Sequence, residues 1–586
     1  MTASAGKAAP ADFATLADLL HRRAAAQPQD PAYIELSDRG QEVARLAFAE
    51  LVRRAAGLSR RIADRAKPGD RALIVCPNGV GFMVGFFACA LSRVAAVPMM
   101  VPRRNSARDA SAAIIADCAP RLALAPRALI DGGRGDVAAR FANGGRDGAI
   151  LEFLAVDDAE TFFDPAAPPP RRSDPVPDDI ALLQYTSGST SAPKGVVVSH
   201  ANLLANLAMI ARAFGNTASS TYVSWVPLYH DMGLIINALQ SLYVGAACVL
   251  MTPVAFVQRP LIWLRAISDY RAEVAGGPNF AFDLCVERYR PEQMDGIDLS
   301  RWKVAFNGAE PVRAQSIRRF SQTYAAHGFS PSTMLPAYGL AEATVLVSAG
   351  RRGAGPAMRA VSGSALRASR IAPPDHAADA HTIVGCGRAI GGEQIAIVDP
   401  DSLVRLGAGQ IGEIWVAGPN VARGYWRNSE ASAAAFGANI AGDDRADWLR
   451  TGDLGFLDDA GELYVTGRVK DIIIIRGANH YPQDIENTAQ EAHPALRRHG
   501  GAAFAVGDQT EAERLVIVQE VERTYRNRVD LAEIVGRIRE AVVAAHDIVP
   551  HEIALLRPGA LPKTTSGKIQ RALSRQLWRE GSLDRL

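Results

Sequence analysis

Residues 183–195, LQYTSGSTSAPKG, constrain this chain more than any other stretch. Seven of them are Ser, Thr or Gly, set between an apolar strand signal (180–185) and a β-branched run (196–198). A loop so rich in hydroxyls and small residues turns several backbone N–H groups towards one point, an anion-binding concavity, and Lys194 adds a cation at its end. The pattern reads as a polyphosphate grip; taken alone, the run also suits an ordinary flexible surface loop. It is not a Walker A loop, which has Gly before its Lys and Ser or Thr after it, whereas here Pro193 precedes Lys194 and Gly195 follows. Lysine usage favours the grip. Of 64 Lys and Arg only seven are Lys: Lys7, Lys67, Lys194, Lys303, Lys470, Lys563 and Lys568. In so Arg-biased a chain a Lys marks a place for a compact, mobile ammonium that Arg does not replace.

At 586 residues the chain is too long for one core, and roughly three or four folding units are expected. Its 48% hydrophobic and 22% charged residues are those of a soluble globular protein. A net charge of +2 leaves no electrostatic footprint for nucleic acid. Cys76, Cys89, Cys118, Cys248, Cys285 and Cys386 are scattered, without CxxC pairs or metal-ligand spacing, and read as buried thiols of a reducing cytosol. The N-terminus has no apolar core of signal-peptide length, so a cytoplasmic protein is expected. The longest apolar run, 80–91, is cut off by Ser92 and Arg93 and is too short to span a bilayer. It reads as a buried helix feeding a strand at 95–101, and no membrane insertion is expected.

Up to about residue 470 apolar strands alternate with helical segments, as a layered α/β fold requires. Short β-rich runs lie at 72–76, 95–101, 222–226 and 247–251, and helical periodicity at 201–214 and 260–270. The Pro-, Arg- and Asp-rich stretch 165–179 is a linker before the phosphate loop. A hairpin pattern at 454–466, turning at 458–461, leads to Gly467-Arg468-Val469-Lys470-Asp471. A smaller unit follows, with strands near 502–506, 515–521 and 552–556 and a helix at 531–545. Near its end LPKTTSGK, 561–568, is a second small, polar, Lys-bearing loop. Phosphate-friendly loops on two lobes imply a site closed between them.

Four further segments carry chemistry. YGLAEAT, 338–344, combines an aromatic plate, a flexible Gly and an acid: Tyr338 can stack on a base and Glu342 can hold a hard cation through oxygen, although a turn with a solvated Glu has the same pattern. RTGD, 450–453, ends in an Asp suited to vicinal sugar hydroxyls, and equally to an Asx cap. WVPLYHDMG, 225–233, places His230 at a strand end among aromatic and apolar residues, where a structural His is the commoner case. GGPNFAFD, 276–283, offers apolar groups for a lipid-like tunnel or for plain core packing.

In order along the chain, TSGSTSAPKG, YHDMG, AYGLAEAT, RTGD, GRVKD and TTSGK resemble the motif series of the adenylate-forming superfamily: acyl-CoA synthetases, luciferases and peptide-synthetase adenylation domains. The resemblance covers essentially the whole chain. Within the superfamily PLYHDMGLI (227–235), PNFAFDLC (278–285) and IIIRGANHYPQDIE (473–486) are most similar to fatty acyl-AMP ligases. The long stretch between Glu342 and Cys386, with VSGSAL at 361–366, resembles the insertion by which these ligases differ from their CoA-using relatives. The resemblance implies an α/β fold with a large multi-lobed N-terminal domain of layered sheets and helices, 1–469, with the insertion near 351–380. A small mobile α+β C-terminal domain, 470–586, would carry Lys568.

By matching motif, Thr186, Ser187, Gly188, Ser189, Thr190 and Lys194 would cradle the β- and γ-phosphates of ATP. Asn307, Gly308, Ala309, Glu310 and Pro311, with Tyr338 and Gly339, would sandwich the adenine, while Asp453 and Arg468 would hold the ribose. Glu342, with Thr186 or Ser187 nearby, would serve Mg²⁺. Lys568 would bridge the substrate carboxylate and the α-phosphate, with His230 and Glu342 completing the catalytic set. Lys470 stands where the superfamily keeps its hinge residue, often an acid.

The implied chemistry is activation of a fatty acid with ATP to acyl-AMP and pyrophosphate. The acyl group would then pass to the phosphopantetheine thiol of an acyl carrier protein acting in trans, since the chain ends at Leu586 without a carrier sequence. Arg571, Arg575 and Arg579 recur every four residues and would form a basic stripe on a helix, a docking face for an acidic carrier or simply a solvated face; residues 470–586 hold 17 Lys and Arg against 16 Asp and Glu. The alternatives are a fatty acyl-CoA synthetase, a peptide-synthetase adenylation domain and a catalytically dead binding scaffold. His230, standing where the peptide enzymes keep an Asp for the substrate amine, argues against the second, and the full set of Lys, Glu and Asp positions argues against the third.

Overall fold

The computed structural model describes residues 13–102, 111–132, 141, 150–158, 174–186, 193–444, 447–507, 513–525, 529–564 and 567–586. Two large sheets dominate the first 390 residues. One has nine strands in the order Arg388–Ala389, Ser348–Ala349, Met334–Tyr338, Val304–Asn307, Val274–Gly277, Thr221–Ser224, Ala247–Leu250, Pro31–Leu36 and Glu42–Ala47. The other has six: Glu152–Ala155, Leu122–Ala125, Arg71–Ile74, Ala95–Pro98, Ile180–Thr186 and Lys194–Ser199. Their inner strands are parallel and buried at every residue in five cases, as sheets covered by helices on both faces require. The mixed α/β class expected from the alternating pattern is the one observed.

The apolar run 80–91 is the helix Val80–Leu91, buried over most of its length between the sheets, and it feeds the strand Ala95–Pro98. That strand stops three residues earlier than its composition suggests. The helices His200–Phe214 and Leu261–Asp269 match their periodic segments. Among the described residues no helix is long and apolar enough to cross a membrane. All six cysteines are buried free thiols.

A four-stranded antiparallel sheet follows, ordered Gln394–Val398, Gly412–Ala417, Leu449–Leu457 and Leu463–Arg468; its last pair is the expected hairpin. Beyond it a small lobe is built on a three-stranded sheet, Leu496–Val506, Arg514–Val521 and Glu552–Leu556. One face packs on the helices Pro482–Glu491 and Leu531–His546, the other on Leu577 and Trp578 of the terminal helix Arg571–Arg579. The hairpin Ile473–Ile475 with Ala478–His480 and the helix Pro482–Glu491 were not foreseen from sequence.

The segment read as an insertion forms a hairpin of its own, Met358–Ser362 paired with Ala380–Val384, with a short helix Gly363–Arg367 at its tip. The hairpin begins inside the expected 351–380 and ends four residues beyond it. It touches the small lobe directly: Asn479 Nδ2 donates to Ser369 Oγ at 2.7 Å, and His381 Nε2 lies 3.9 Å from Asp484 Oδ1.

Candidate active site

The motifs meet because four neighbouring parallel strands end together. Thr221–Ser224, Val274–Gly277, Val304–Asn307 and Met334–Tyr338 run side by side, and their carboxyl ends open into the segments beginning at Trp225, Pro278, Gly308 and Gly339. Ligands of open α/β sheets bind outside such ends. The third of these segments is shaped by Asn279, fully buried: its Oδ1 accepts from Asn307 Nδ2 (3.1 Å) and the Arg313 N–H (3.0 Å), and its Nδ2 donates to the Pro311 carbonyl at 2.9 Å. Ala309 in this loop has φ 70°, a left-handed conformation that costs a residue with a Cβ and collects at functional sites. Gly339 is demanded by space, since a Cβ there would sit 1.7 Å from the Val345 carbonyl oxygen.

Tyr338, Asp453 and Arg468 form one chain of hydrogen bonds. The Tyr338 hydroxyl donates to Asp453 Oδ2 at 2.8 Å and Arg468 Nε donates to Oδ1 at 2.8 Å, Asp453 and Arg468 being cross-strand partners in register. Asp453 is 6% exposed. Its negative charge raises the pKa of the Arg468 guanidinium. Thr186 and Lys194 are the last registered pair of the strands that enter and leave the Ser/Thr/Gly loop, so that loop closes a hairpin. Ser187, Gly188, Ser189 and Thr190 lie outside the described residues. Gly195 is again required by space: a Cβ there would lie 2.8 Å from the Tyr185 ring.

Facing this hairpin, Glu342 in the short helical turn Ala341–Ala343 accepts a hydrogen bond at Oε1 from the Tyr425 hydroxyl, 2.7 Å. Lys194 Nζ stands 4.8 Å from the centre of the same Tyr425 ring. Among the described residues no cluster of three or more His, Cys, Asp or Glu could cage a metal, and Glu342 Oε2 has no hydrogen-bond partner. That donor set fits a magnesium ion, which binds through one or two carboxylates together with substrate phosphates.

Trp225, Pro227, Met232, Pro278 and Phe280 wall a narrow apolar cleft that His230, Glu310 and Lys568 also line. Lys568 comes from the small lobe, so the terminal lysine loop rests at the cleft. Its side chain is exposed to the cleft; the protein surrounding it strips the ammonium of bulk solvent and lowers its pKa, while Asp231 works most strongly the other way. Asp231 is buried with Oδ1 2.5 Å from His230 Nδ1 and accepts from the Met232 N–H at 2.7 Å. Burial opposes its charge, but His230 and Lys568 outweigh that and hold the carboxylate below its ordinary range. Of the segment 276–283, Pro278 and Phe280 line the cleft, whereas Ala281 and Phe282 are core.

Sequence reasoning missed Asn279, Asp231 and Tyr425. The first two stand beside motif residues, but nothing in their spacing names their partners. It also misread one of three arginines. The helix Arg571–Arg579 exists, yet Arg571 turns inward: its Nε and Nη2 donate to Glu486 at 2.7 and 2.8 Å and its Nη1 to Asp471 at 3.0 Å. Only Arg575 and Arg579 are exposed, so the proposed stripe loses its first member.

Comparison with known proteins agrees with this geometry. Residues 20–426 match the AMP-binding enzyme model and 470–585 the Disco-interacting protein 2-like AMP domain. The chain is 40% identical to the medium-chain-fatty-acid–[acyl-carrier-protein] ligase JamA of Moorena producens, over 98% of this chain and 96% of that protein. It is 36% identical to the long-chain-fatty-acid–AMP ligase FadD32 of Mycolicibacterium smegmatis, over 92% and 89%. A solved fatty acyl-adenylate ligase of L. pneumophila, in complex with acyl adenylate and pyrophosphate, superposes with a TM-score of 0.75 at 35% identity, covering 98% of both chains. A large two-sheet body with strand ends converging on one cleft, matched in sequence and in shape from end to end, makes this chain a member of the AMP-binding enzyme family and, within it, of the fatty acyl-AMP ligases.

Proposed function

We propose that the protein joins a fatty acid to AMP and hands the acyl group to the phosphopantetheine thiol of an acyl carrier protein. The observation that carries this reading is the cleft itself: an apolar, aromatic-walled pocket that ends in a lysine delivered by the other lobe. Its apolar walls suit a hydrocarbon chain in chemistry, and a carboxylate at the cleft's polar end would meet the Lys568 ammonium. The relative named for AMP ligation supports the adenylate, and the one named for acyl-carrier-protein ligation supports the acceptor.

In the first step a carboxylate oxygen of the acid forms a bond to the α-phosphorus of ATP, and the bond from that phosphorus to the bridging oxygen of pyrophosphate breaks. Both reactants are anions, so the work is neutralisation and positioning rather than proton transfer. Lys568 would lie between the substrate carboxylate and the α-phosphate. Thr186, Ser187, Gly188, Ser189, Thr190 and Lys194 would cradle the departing phosphates. Asn307, Gly308, Ala309, Glu310, Pro311, Tyr338 and Gly339 would hold the adenine, and Asp453 with Arg468 the ribose. His230 would close the cleft over the carboxylate. Glu342 and Thr186 would hold Mg²⁺, which when bound supplies positive charge to the phosphates. The domains divide as 1–469 and 470–586, with Lys470 between them as the pivot. After adenylation the small domain would turn away, removing Lys568 and letting a thiol sulfur attack the acyl carbonyl as AMP leaves.

The test is pyrophosphate release from MgATP across a panel of fatty acids, with Lys568→Ala beside the unaltered protein, and the acyl product scored with carrier protein or CoA. Release should fall about 100- to 1000-fold in the variant, the usual cost of one such electrostatic contact. Release independent of Lys568 would overturn the adenylation reading, and copious acyl-CoA would overturn the acceptor.

A further inference from the structure

Between Lys194 and Glu342 stands a residue with no part in the motif series. Tyr425 donates its hydroxyl to Glu342 Oε1 at 2.7 Å and presents its ring to the Lys194 ammonium, 4.8 Å from the ring centre. Its backbone is as well placed as its side chain. Val196 and Tyr425 form an antiparallel bridge; the Trp426 N–H donates to the Gly195 carbonyl at 2.7 Å and the Val197 N–H to the Gly424 carbonyl at 2.9 Å. The same segment reaches the other loop, where the Ala422 N–H donates to the Glu342 carbonyl at 2.9 Å. Phe436 packs edge-on against the Tyr425 ring at 5.3 Å, and Ser432 Oγ accepts the Tyr425 N–H at 2.9 Å. One short stretch of chain thus clamps both the phosphate-loop strand and the acidic turn, and its tyrosine lies between their charges.

Opposite charges on two such loops attract, and a direct lysine–glutamate pair would have to be broken before either could meet a ligand. No ion pair joins Lys194 and Glu342 among the described residues. The tyrosine satisfies each separately, the ammonium by its ring face and one carboxylate oxygen by its hydroxyl, leaving Glu342 Oε2 open. Burial, together with Glu342, raises the Tyr425 phenol, so it remains a neutral donor at working pH.

We infer that Tyr425 is a positioning residue that keeps Lys194 and Glu342 apart and aimed, so that the magnesium–pyrophosphate end of the nucleotide meets an open carboxylate and an open ammonium. The inference rests on the ligase reading, in which these two groups face the phosphates.

The experiment is calorimetric titration of the full-length protein and of Tyr425→Phe and Tyr425→Leu with two probes, magnesium pyrophosphate and pyrophosphate in EDTA. Tyr425→Phe keeps the ring and loses the hydroxyl, so it should weaken the magnesium form about tenfold, the lower end for a hydrogen bond to a charged group, and leave the metal-free form unchanged. Tyr425→Leu should weaken both forms; if it fails to fold, the phenylalanine variant decides alone. Equal affinity of Tyr425→Phe and the unaltered protein for magnesium pyrophosphate would overturn the inference, and so would equal weakening of both forms. Failure of the ligase reading is a separate result, an unaltered protein that exchanges no pyrophosphate into ATP when fatty acids are supplied.

Discussion

Among the contacts between the lobes, one histidine bonds two charged groups of the large lobe. His499 interrupts the strand Leu496–Val506, where pairing with Arg514–Val521 slips between Leu496 and Gly501, and it holds φ 53° with its N–H bonded to Gln490 Oε1 at 2.6 Å. That turn drives its ring into the large lobe. Nε2 lies 3.1 Å from Asp283 Oδ2 and Nδ1 lies 3.2 Å from Arg313 Nη1. Arginine can only donate, so Nδ1 accepts and Nε2–H donates to the carboxylate, which also takes the Ser316 hydroxyl at 2.8 Å. His499→Ala removes both inter-lobe bonds. Bonds to charged groups are worth about 1.5–3 kcal/mol each, but the histidine side chain is 21% exposed and water will replace part of the loss. A net of about 2 kcal/mol remains, or roughly 30-fold in the balance between lobe orientations. The assay measures the half-reactions separately: fatty-acid-dependent exchange of pyrophosphate into ATP, and acyl transfer from purified acyl-adenylate to carrier protein. Exchange should fall about 10- to 30-fold while transfer is kept or rises, because only the first needs Lys568 at the cleft. His499→Gln, whose amide N–H can reach Asp283, should recover part of the exchange. If both half-reactions are unchanged, or both fall in step with the melting temperature, the latch argument is wrong.

Two further outcomes follow from buried ionisable groups. Glu520, 1% exposed, accepts the Gly559 and Leu561 N–H groups at 2.8 and 2.9 Å and Arg497 Nη1 at 2.7 Å, fixing the loop that leads to Lys568. Glu520→Ala should destabilise the protein by about 3 kcal/mol, read by urea denaturation, and lower exchange further than stability explains, whereas Glu520→Gln, whose amide oxygen still accepts both N–H groups, should keep most of both. His200 is buried and held neutral, its pKa pushed down to about 4 by burial, against the opposing pull of Asp179. The unfolded chain takes up that proton near its ordinary value, so the contribution is complete above about pH 6.5 and is lost as the pH falls towards 4. At pH 5 this one group should cost about 2 kcal/mol, and a His200→Gln variant should show a correspondingly flatter loss of stability between pH 7 and 5.

What the chain discloses on reading and what it hides divide along sequence separation. The helix at Val80–Leu91, the hairpin closing at Thr186 and Lys194, the antiparallel pair Asp453 and Arg468, and the helix Leu531–His546 are local, and their periodicities survive in the fold. The nine-strand order is not local. Tyr33 pairs with Cys248 and Val274 with Tyr222, and short, uniformly apolar parallel strands carry no register of their own. The same holds for the side chains that shape the site. Arg571 looks like one step of a basic stripe because its neighbours at 575 and 579 repeat the charge, yet its partners, Glu486 and Asp471, lie 85 and 100 residues away. Tyr425 looks like one aromatic before Trp426, and its work comes from Glu342 and Lys194, in two separate loops. A motif marks residues that touch a ligand common to many enzymes; the groups that hold those residues in place answer only to each chain's own packing. The contacts made by Asn279, Asp231, Tyr425 and His499 became visible only when distant segments were brought together. Substituting those supports will separate the two half-reactions more cleanly than substituting the ligand-facing residues, because a support alters where a charge stands while leaving the charge in place.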